Sequence, residues 1–304
     1  MGGQPESSGK HHDVFVLSGG AARGAVQVGM MEGLLEHGIV PDALVGTSVG
    51  ALNAAFLGWR NDRARIQELR ARWLRLSTQD IFPGGNLTRM GHLLRRRPYL
   101  FSPAALSRLL ADWIPAERLE DLRTPVRIVT TPLAGNTAVY HRRGDIHQLL
   151  LASAAVPAVF PPVVLPASCG HPGMHVDGGI SDLVPISGAA DLTATRVFVL
   201  DASVPARAPQ GRTPIDVLVA SLGVATRVRP APDLGPGVAV HRMTTPDLGA
   251  SMSDFSFTPQ HLADGRAAAE VLLDQLGREP VPVSAPGAPR RSTIRLWDRR
   301  TRVS

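Results

Sequence analysis

The chain has 304 residues, of which 44% are hydrophobic and 19% are charged, and it carries a formal net charge of +6. This composition is typical of a globular protein with a substantial buried core, in one large α/β domain or two smaller ones. No apolar run is long enough to span a bilayer and the polar first residues lack a signal-peptide pattern, so we expect a cytoplasmic protein. The single cysteine, Cys169, excludes an internal disulfide. Because no recognition motif accompanies the arginines, no nucleic-acid partner is expected.

Strands and helices are predicted to alternate along most of the chain. Residues 14–17 form an unbroken apolar run, as in a strand buried on both faces of a parallel sheet. A strand and a helix follow around residue 48, and Asn61-Asp62 has the chemistry to cap an amphipathic helix. The remaining predicted strands cover 126–131, 138–141 and 196–200, and the remaining helices 25–36, 103–113, 146–155, 216–224 and 262–276. This order predicts an α/β fold with a mainly parallel central sheet and helices on both faces.

The segment Gly46-Thr47-Ser48-Val49-Gly50 joins a short apolar strand to a helix through a G-x-S-x-G pattern. In a nucleophile elbow the serine stands at the apex of a sharp, strained turn that pushes its hydroxyl out of the sheet. Glycines two residues to either side avoid clashes across so tight a turn. Ser48 is therefore the predicted nucleophile.

A second turn, between the first predicted strand and its helix, can supply hydrogen-bond donors for an oxyanion. Its small residues let backbone N–H groups converge near a helix N-terminus. The candidates are Gly19, Gly20, Ala21, Ala22, Arg23 and Gly24. The alternative of a dinucleotide-binding loop fits less well, because Ala21 stands where G-x-G-x-x-G requires its second glycine and because the elbow would be left unexplained.

The proton acceptor for Ser48 is less evident from the residues. A triad in the α/β-hydrolase order would need a late histidine, and His241 and His261 are the candidates. Asp177 is a further candidate, since it follows a short extended stretch and precedes Gly178 and Gly179 in a tight turn.

Taken in order, the glycine-rich turn, the elbow and the D-G-G turn resemble the patatin-like phospholipase family, bacterial type. Residues 152–162 and the pair Val184-Pro185 also match, so the resemblance spans about 14–200. It implies a patatin-like three-layer sandwich, a Ser48–Asp177 dyad without a catalytic histidine, an oxyanion loop with a basic residue, and no metal or cofactor. The implied reaction is hydrolysis of the fatty acyl esters of lipids or phospholipids through an acyl-enzyme. One departure is Ala21, which stands where many relatives carry a third glycine.

Two other functions use the same features: an acyltransferase with the same dyad, and a catalytically inert lipid-binding module. The resemblance places the patatin-like domain at residues 13–279, between a disordered segment at 1–12 and a Pro-rich, basic tail at 280–304.

The irregular residues 81–101 are a candidate lid or lipid-facing surface, which would bring the protein into peripheral contact with a membrane. The apolar groups Ile81-Phe82, Leu93-Leu94 and Tyr99-Leu100-Phe101 would lie beside Arg95-Arg96-Arg97. The alternative is that these apolar residues pack onto the core.

Overall fold

A computed structural model describes residues 11–83, 99–203, 224–225, 232–251 and 253–277. Its strands are β1 (Asp13–Leu17), β2 (Ala43–Thr47), β3 (Val126–Pro132), β4 (Val139–His141), β5 (Val163–Leu165), β6 (Gly173–Asp177), β7 (Arg196–Leu200) and β8 (Ala239–Met243). The described α-helices are α1 (Gly24–Glu36), α2 (Val49–Trp59), α3 (Arg63–Arg75), α4 (Thr78–Ile81), α5 (Ala104–Trp113), α6 (Ile146–Ser153) and α7 (Thr258–Gln275).

The eight described strands form one sheet in the order β5-β6-β3-β2-β1-β7-β8, with β4 beside β3. Strands β3, β2, β1, β7 and β8 are parallel, whereas β4 and β6 run antiparallel to β3 and β5 runs antiparallel to β6. The predicted α/β fold with a mainly parallel sheet is thus confirmed. The short edge strands β5 and β8 were not predicted, because β5 has three residues and β8 is largely exposed.

Alternate residues of the buried strands face two separate cores. Phe15 and Leu17 join a large core to which every described α-helix contributes. Val14 and Val16 join a smaller core on the opposite face, together with residues around the 3-10 helix Ile186–Ala189. The uninterrupted hydrophobicity of 14–17 reflects this burial on both faces.

Helices α1 and α7 pack unusually close together through glycines. A Cβ atom on Gly29 would lie 2.1 Å from the carbonyl oxygen of Leu262, and one on Gly265 would lie 2.0 Å from that of Val26. This close packing holds α1 against α7. Because α1 begins directly after the glycine-rich turn, the packing also fixes the position of that turn. Helix α7 begins at Thr258, four residues before the predicted start, with Pro259 in its first turn.

The ends of the candidate lid pack onto the protein. Phe82 and Phe101 both contact the ring of Phe160, with ring centroids 5.7 and 6.4 Å away. Ile81 is buried and belongs to the large core. For these residues the alternative of core packing holds. Leu93, Leu94 and Arg95 to Arg97 lie outside the described residues, as do 1–10, 216–223 and the tail 280–304.

In the part of the chain that the structure describes, no helix combines the length and the apolar character needed to cross a bilayer.

Candidate active site

Strand register brings Ser48 and Asp177 to the same level of the sheet. Thr47, the last residue of β2, pairs with Val129 of β3, so Ser48 follows at the level of Thr130. On the other side of β3, Thr130 pairs with Asp177. The two candidate residues thus lie on either side of β3 at the carboxyl end of the parallel strands. Their backbones are separated by two strand spacings, or about 10 Å, and their side chains extend into the gap between them.

Ser48 occupies a strained elbow between β2 and α2. Its backbone angles are φ 54° and ψ −123°, a conformation that L-residues seldom adopt. The turn is so tight that a Cβ atom on Gly46 would lie 2.4 Å from the carbonyl oxygen of Gly50. A Cβ atom on Gly50 would lie 2.4 Å from the carbonyl oxygen of Leu17. Glycine is therefore required at both flanking positions, and the half-buried Ser48 remains accessible.

Asp177 ends β6 with its carboxyl group buried, and this burial raises its pKa to about 6. The Ser48 side chain and the N–H of Gly179 partly oppose the shift. The Gly179 N–H donates to Oδ1 at 2.7 Å, whereas Oδ2 accepts no hydrogen bond from the described residues. Ser48 is thus near enough to affect the carboxyl without completing a hydrogen bond. Such loose geometry is common in sites without substrate.

The D-G-G turn packs directly on β3. A Cβ atom on Gly178 would lie 2.3 Å from the carbonyl oxygen of Val129, and one on Gly179 would lie 2.9 Å from Oδ1 of Asp177. Glycine at both positions lets the turn approach the strand and lets the Gly179 N–H reach the carboxylate.

The glycine-rich turn lies beside the elbow, since a Cβ atom on Gly19 would be 3.5 Å from that of Ser48. The N–H of Gly19 donates to Leu183 and that of Arg23 to Gly20, so neither is free for a substrate. Gly24 likewise donates to Ala21. Among the described residues, the N–H groups of Gly20, Ala21 and Ala22 have no such backbone acceptor. These three are the candidate oxyanion donors, a narrower set than the sequence predicted.

Comparison with known families agrees with this arrangement. The family model described as patatin-like phospholipase matches residues 15–190, which is more than half of the chain. The chain belongs to the patatin-like phospholipase family.

Curated relatives share this patatin-like domain within much longer proteins. Human patatin-like phospholipase domain-containing protein 6 is 27% identical over 187 residues, which cover 62% of this chain and 13% of that protein. Neuropathy target esterase sws of Drosophila melanogaster is 27% identical over 62% of this chain and 12% of its own length. Lysophospholipase nte1 of Aspergillus terreus is 29% identical over 65% of this chain and 12% of its own length. The chain thus spans about an eighth of these relatives.

Among solved structures, VipD from Legionella pneumophila aligns with 88% of this chain and 67% of its own, at 15% sequence identity and a TM-score of 0.44.

Arg23 of the patatin-like domain is 3% exposed and anchors the glycine-rich turn. Its Nε donates to the carbonyl oxygen of Ala202, and its two terminal nitrogens donate to Pro246 O and Thr245 Oγ1. All three acceptors lie just beyond the ends of β7 and β8. The guanidinium therefore ties the turn to the sheet, which supports a role in orienting the loop over one in binding a substrate phosphate.

A buried polar network joins the glycine-rich turn to the helix behind Ser48. The Gln27 side chain donates to Ser18 O at 2.7 Å, and the Asn53 side chain donates to Gly24 O at 3.0 Å. Asn53 also donates to Gln27 and accepts from the Trp73 indole. This network was not predicted from the sequence. Its signal is an amide side chain within an apolar run of each helix, Gln27 between valines in α1 and Asn53 between Leu52 and Ala54 in α2, because a buried amide needs hydrogen-bond partners.

Neither late histidine makes a hydrogen bond to Ser48 among the described residues. His241 is in β8, three strands from β2, with its ring against Phe198. His261 is buried in α7, and neither of its ring nitrogens has a hydrogen-bond partner among the described residues. Burial lowers the pKa of both imidazoles. Of the candidate proton acceptors, Asp177 is the one that the fold brings to Ser48.

Proposed function

We propose that this patatin-like domain is a serine lipid acyl hydrolase that cleaves fatty acyl esters through a Ser48–Asp177 dyad. One observation carries the proposal: a serine in a strained elbow lies at the same level of the sheet as a buried carboxyl, and Oδ2 of that carboxyl accepts no hydrogen bond from the described residues. The names of the curated relatives, which include esterase and lysophospholipase, support an ester of lipid origin as substrate.

In the first half of the reaction, Ser48 Oγ attacks the ester carbonyl carbon while Asp177 takes the hydroxyl proton. The negative charge on the carbonyl oxygen is stabilised by the N–H groups of Gly20, Ala21 and Ala22 and by the N-terminus of α2. When the tetrahedral intermediate collapses, the C–O bond to the alcohol breaks and Asp177 returns its proton to the leaving oxygen. The product is an acyl-Ser48 ester.

In the second half, a water molecule attacks the acyl-enzyme while Asp177 takes its proton. Collapse of the second intermediate releases the fatty acid and restores the proton to Ser48. A carboxylate of ordinary pKa is a weak base for a hydroxyl, and the burial that raises the Asp177 pKa to about 6 narrows this gap.

We also propose peripheral contact with a lipid surface at the carboxyl end of the sheet. Leu133, Val164 and Met174 are 56%, 68% and 48% exposed. Val164 pairs with Met174, whose carbonyl accepts from Leu133, so the three form one apolar surface beyond Asp177. Residues 146–176 contain no Asp, Glu, Lys or Arg. A surface without formal charge can enter a lipid interface at low desolvation cost.

The dyad is tested with purified Ser48→Ala and Asp177→Asn on a soluble short-chain ester and on phospholipid and lysophospholipid vesicles. We expect each variant to lose at least about a thousandfold in kcat with an unchanged far-UV spectrum, because the removed group acts in both halves of the reaction. His261→Asn is the matched control and should retain turnover.

Undiminished turnover in either dyad variant would contradict the proposal. Failure of wild-type Ser48 to react with a fluorophosphonate would instead favour an inert lipid-binding module. Transfer of the acyl group to an added alcohol in preference to water would favour a transferase.

A further inference from the structure

One short segment accepts hydrogen bonds from the backbone of both dyad residues. The N–H of Ser48 donates to Oγ of Ser153 at 2.9 Å, and the N–H of Asp177 donates to the carbonyl oxygen of Ala155 at 3.0 Å. Ser153 is the last residue of α6, and Ala155 lies two residues beyond it. The nucleophile and its base, 129 residues apart in sequence, are thus joined to adjacent points of a third element.

The direction of the Ser153 hydrogen bonds follows from proton counting. Its side chain is fully buried, and its hydroxyl donates to the carbonyl oxygen of Val129 at 2.6 Å. A hydroxyl has a single proton, so the oxygen faces Ser48 with a lone pair and accepts the Ser48 N–H. Ser153 therefore connects the elbow to the centre of β3.

The Ser48 N–H needs a side-chain acceptor because neither neighbouring element provides one. The β2 ladder ends at Thr47, and α2 begins at Val49. A residue at φ 54° in a strained turn persists only where its surroundings fix it. Alanine at position 153 would leave this N–H without its acceptor and the turn without its link to β3.

Val129, which accepts the hydrogen bond from Ser153, also contacts the D-G-G turn. The Val129 carbonyl that accepts from Ser153 lies against Gly178, where a Cβ atom would be only 2.3 Å away. A displacement of Ser153 would thus act on the elbow directly and on the Asp177 turn through Val129. Residues 152–162 matched a family pattern in the sequence without an evident task, and this linkage supplies one.

We propose that Ser153 is a positioning residue of the Ser48–Asp177 dyad. Its hydroxyl oxygen accepts the hydrogen bond of the Ser48 N–H, and Ala155 in the same turn accepts that of the Asp177 N–H. The turn thereby sets the distance between nucleophile and base. The inference rests on the proposed function of the dyad. Ser153 itself touches neither the substrate nor the transferred proton.

The test compares Ser153→Ala, Ser153→Thr and wild type on a soluble ester, with kcat, KM and kcat/KM measured from pH 4 to 9. Misplacement by about 1 Å can cost on the order of a hundredfold, so Ser153→Ala is expected to lose about ten- to a hundredfold in kcat with little change in KM. Because the Ser48 side chain lowers the pKa of Asp177, a looser dyad should also move the acid limb of kcat/KM to higher pH. Ser153→Thr keeps the hydroxyl oxygen that accepts the Ser48 N–H, so the acid limb of its kcat/KM profile should lie at the wild-type pH.

Thr258→Val serves as the matched control. Thr258 is 2% exposed, and its hydroxyl donates to the carbonyl oxygen of Phe255, so the variant also loses one buried hydrogen bond. It should lower the melting temperature without moving the acid limb. If Ser153→Ala lost activity through instability alone, it would likewise have a lower melting temperature and an unmoved acid limb. That result would overturn the inference.

A folded Ser153→Ala enzyme with wild-type kcat and acid limb would also overturn it. If wild type turns over no ester, the proposed function fails, and amide hydrogen exchange then tests the inference independently of activity. The Ser48 N–H should exchange faster in Ser153→Ala than in wild type, and equal rates would contradict the linkage.

If Ser153→Ala does not fold, Ser153→Cys replaces it. The sulfur atom is a weak hydrogen-bond acceptor, so kcat of Ser153→Cys should be lower than kcat of Ser153→Thr. Equal kcat values would refute the proposal.

Discussion

The burial of the Asp177 carboxyl lowers the stability of the fold at neutral pH. Its folded-state pKa of about 6 lies above the ordinary value of 3.8, because burial disfavours the charged form. Between these two values the folded chain binds the proton more tightly than the unfolded chain. Stability is therefore highest below pH 3.8 with respect to this group, and it falls as the pH rises through 6.

Asp177→Asn should abolish this pH-dependent loss. We expect the difference in unfolding free energy between the Asn variant and wild type to rise by about 2 kcal/mol from pH 4 to pH 8, measured by urea denaturation. Asp191→Asn gives a control of opposite sign, since its hydrogen bond with Arg127 lowers the pKa of Asp191. That variant should become less stable than wild type as the pH rises towards 4, and the difference between the two should stay nearly constant from pH 5 to pH 8. A difference for Asp177→Asn that did not change with pH would contradict the assigned pKa.

Ala21 stands where the family resemblance would place a third glycine, and its backbone adopts the conformation that a glycine favours. Its φ is 48°, in the left-handed region that costs an alanine about 1 kcal/mol. The 3-10 helix that begins at Ala21 and the anchor at Arg23 hold the turn in this shape. The methyl group of Ala21 thus adds backbone strain to the turn.

At the scale of elements, α7 supports the site although it lies beyond the matched residues 15–190. It packs along α1 with Leu262, Ala269, Leu272 and Leu273 buried. Since α1 starts directly after the glycine-rich turn, this helix pair determines where the turn lies. The domain boundary at residue 279 that the sequence indicated places α7 inside the folded unit.

Truncation tests this boundary. A chain that ends at residue 257 loses α7 and exposes the α1 face, and three buried leucines alone contribute about 5 kcal/mol or more, comparable to the whole stability of a typical domain. We expect it to be insoluble or unfolded by circular dichroism. A chain that ends at residue 279 is the control and should keep the wild-type melting temperature and activity. A folded chain ending at 257 would show that α7 is dispensable.

At the scale of the whole molecule, the site and the uncharged apolar surface share one end of the sheet. β6 runs antiparallel to β3, so Asp177 lies at the level of Ser48 while Met174 extends beyond β3 beside Leu133. A lipid layer against Leu133, Val164 and Met174 would face the carboxyl end of the parallel strands, where the dyad lies.

Vesicle binding tests this surface. The double variant Val164→Ser/Met174→Ser should lose about thirtyfold in partition onto phosphatidylcholine vesicles, since each of the two exposed apolar side chains contributes about 1 kcal/mol on burial. Turnover of a soluble ester should not change. Val240→Ser/Val271→Ser removes two apolar side chains that are 48% and 58% exposed on β8 and α7, and it should bind as wild type does. Equal losses in both double variants would exclude a specific surface.

The sequence by itself determined the local motifs and the class of fold. The elbow at Ser48, the glycine-rich turn and the D-G-G turn could be predicted because each depends on the steric needs of a few consecutive residues. The core strands could be predicted because burial on both faces leaves a continuous apolar run. The family resemblance already pointed to Asp177 in place of a histidine, but only the tertiary structure shows how Asp177 comes to lie near Ser48, because strand register across β3 brings together residues that are far apart in the chain. The tertiary structure also decided what Arg23 and Ser153 contact, because side-chain direction depends on packing between residues far apart in the chain.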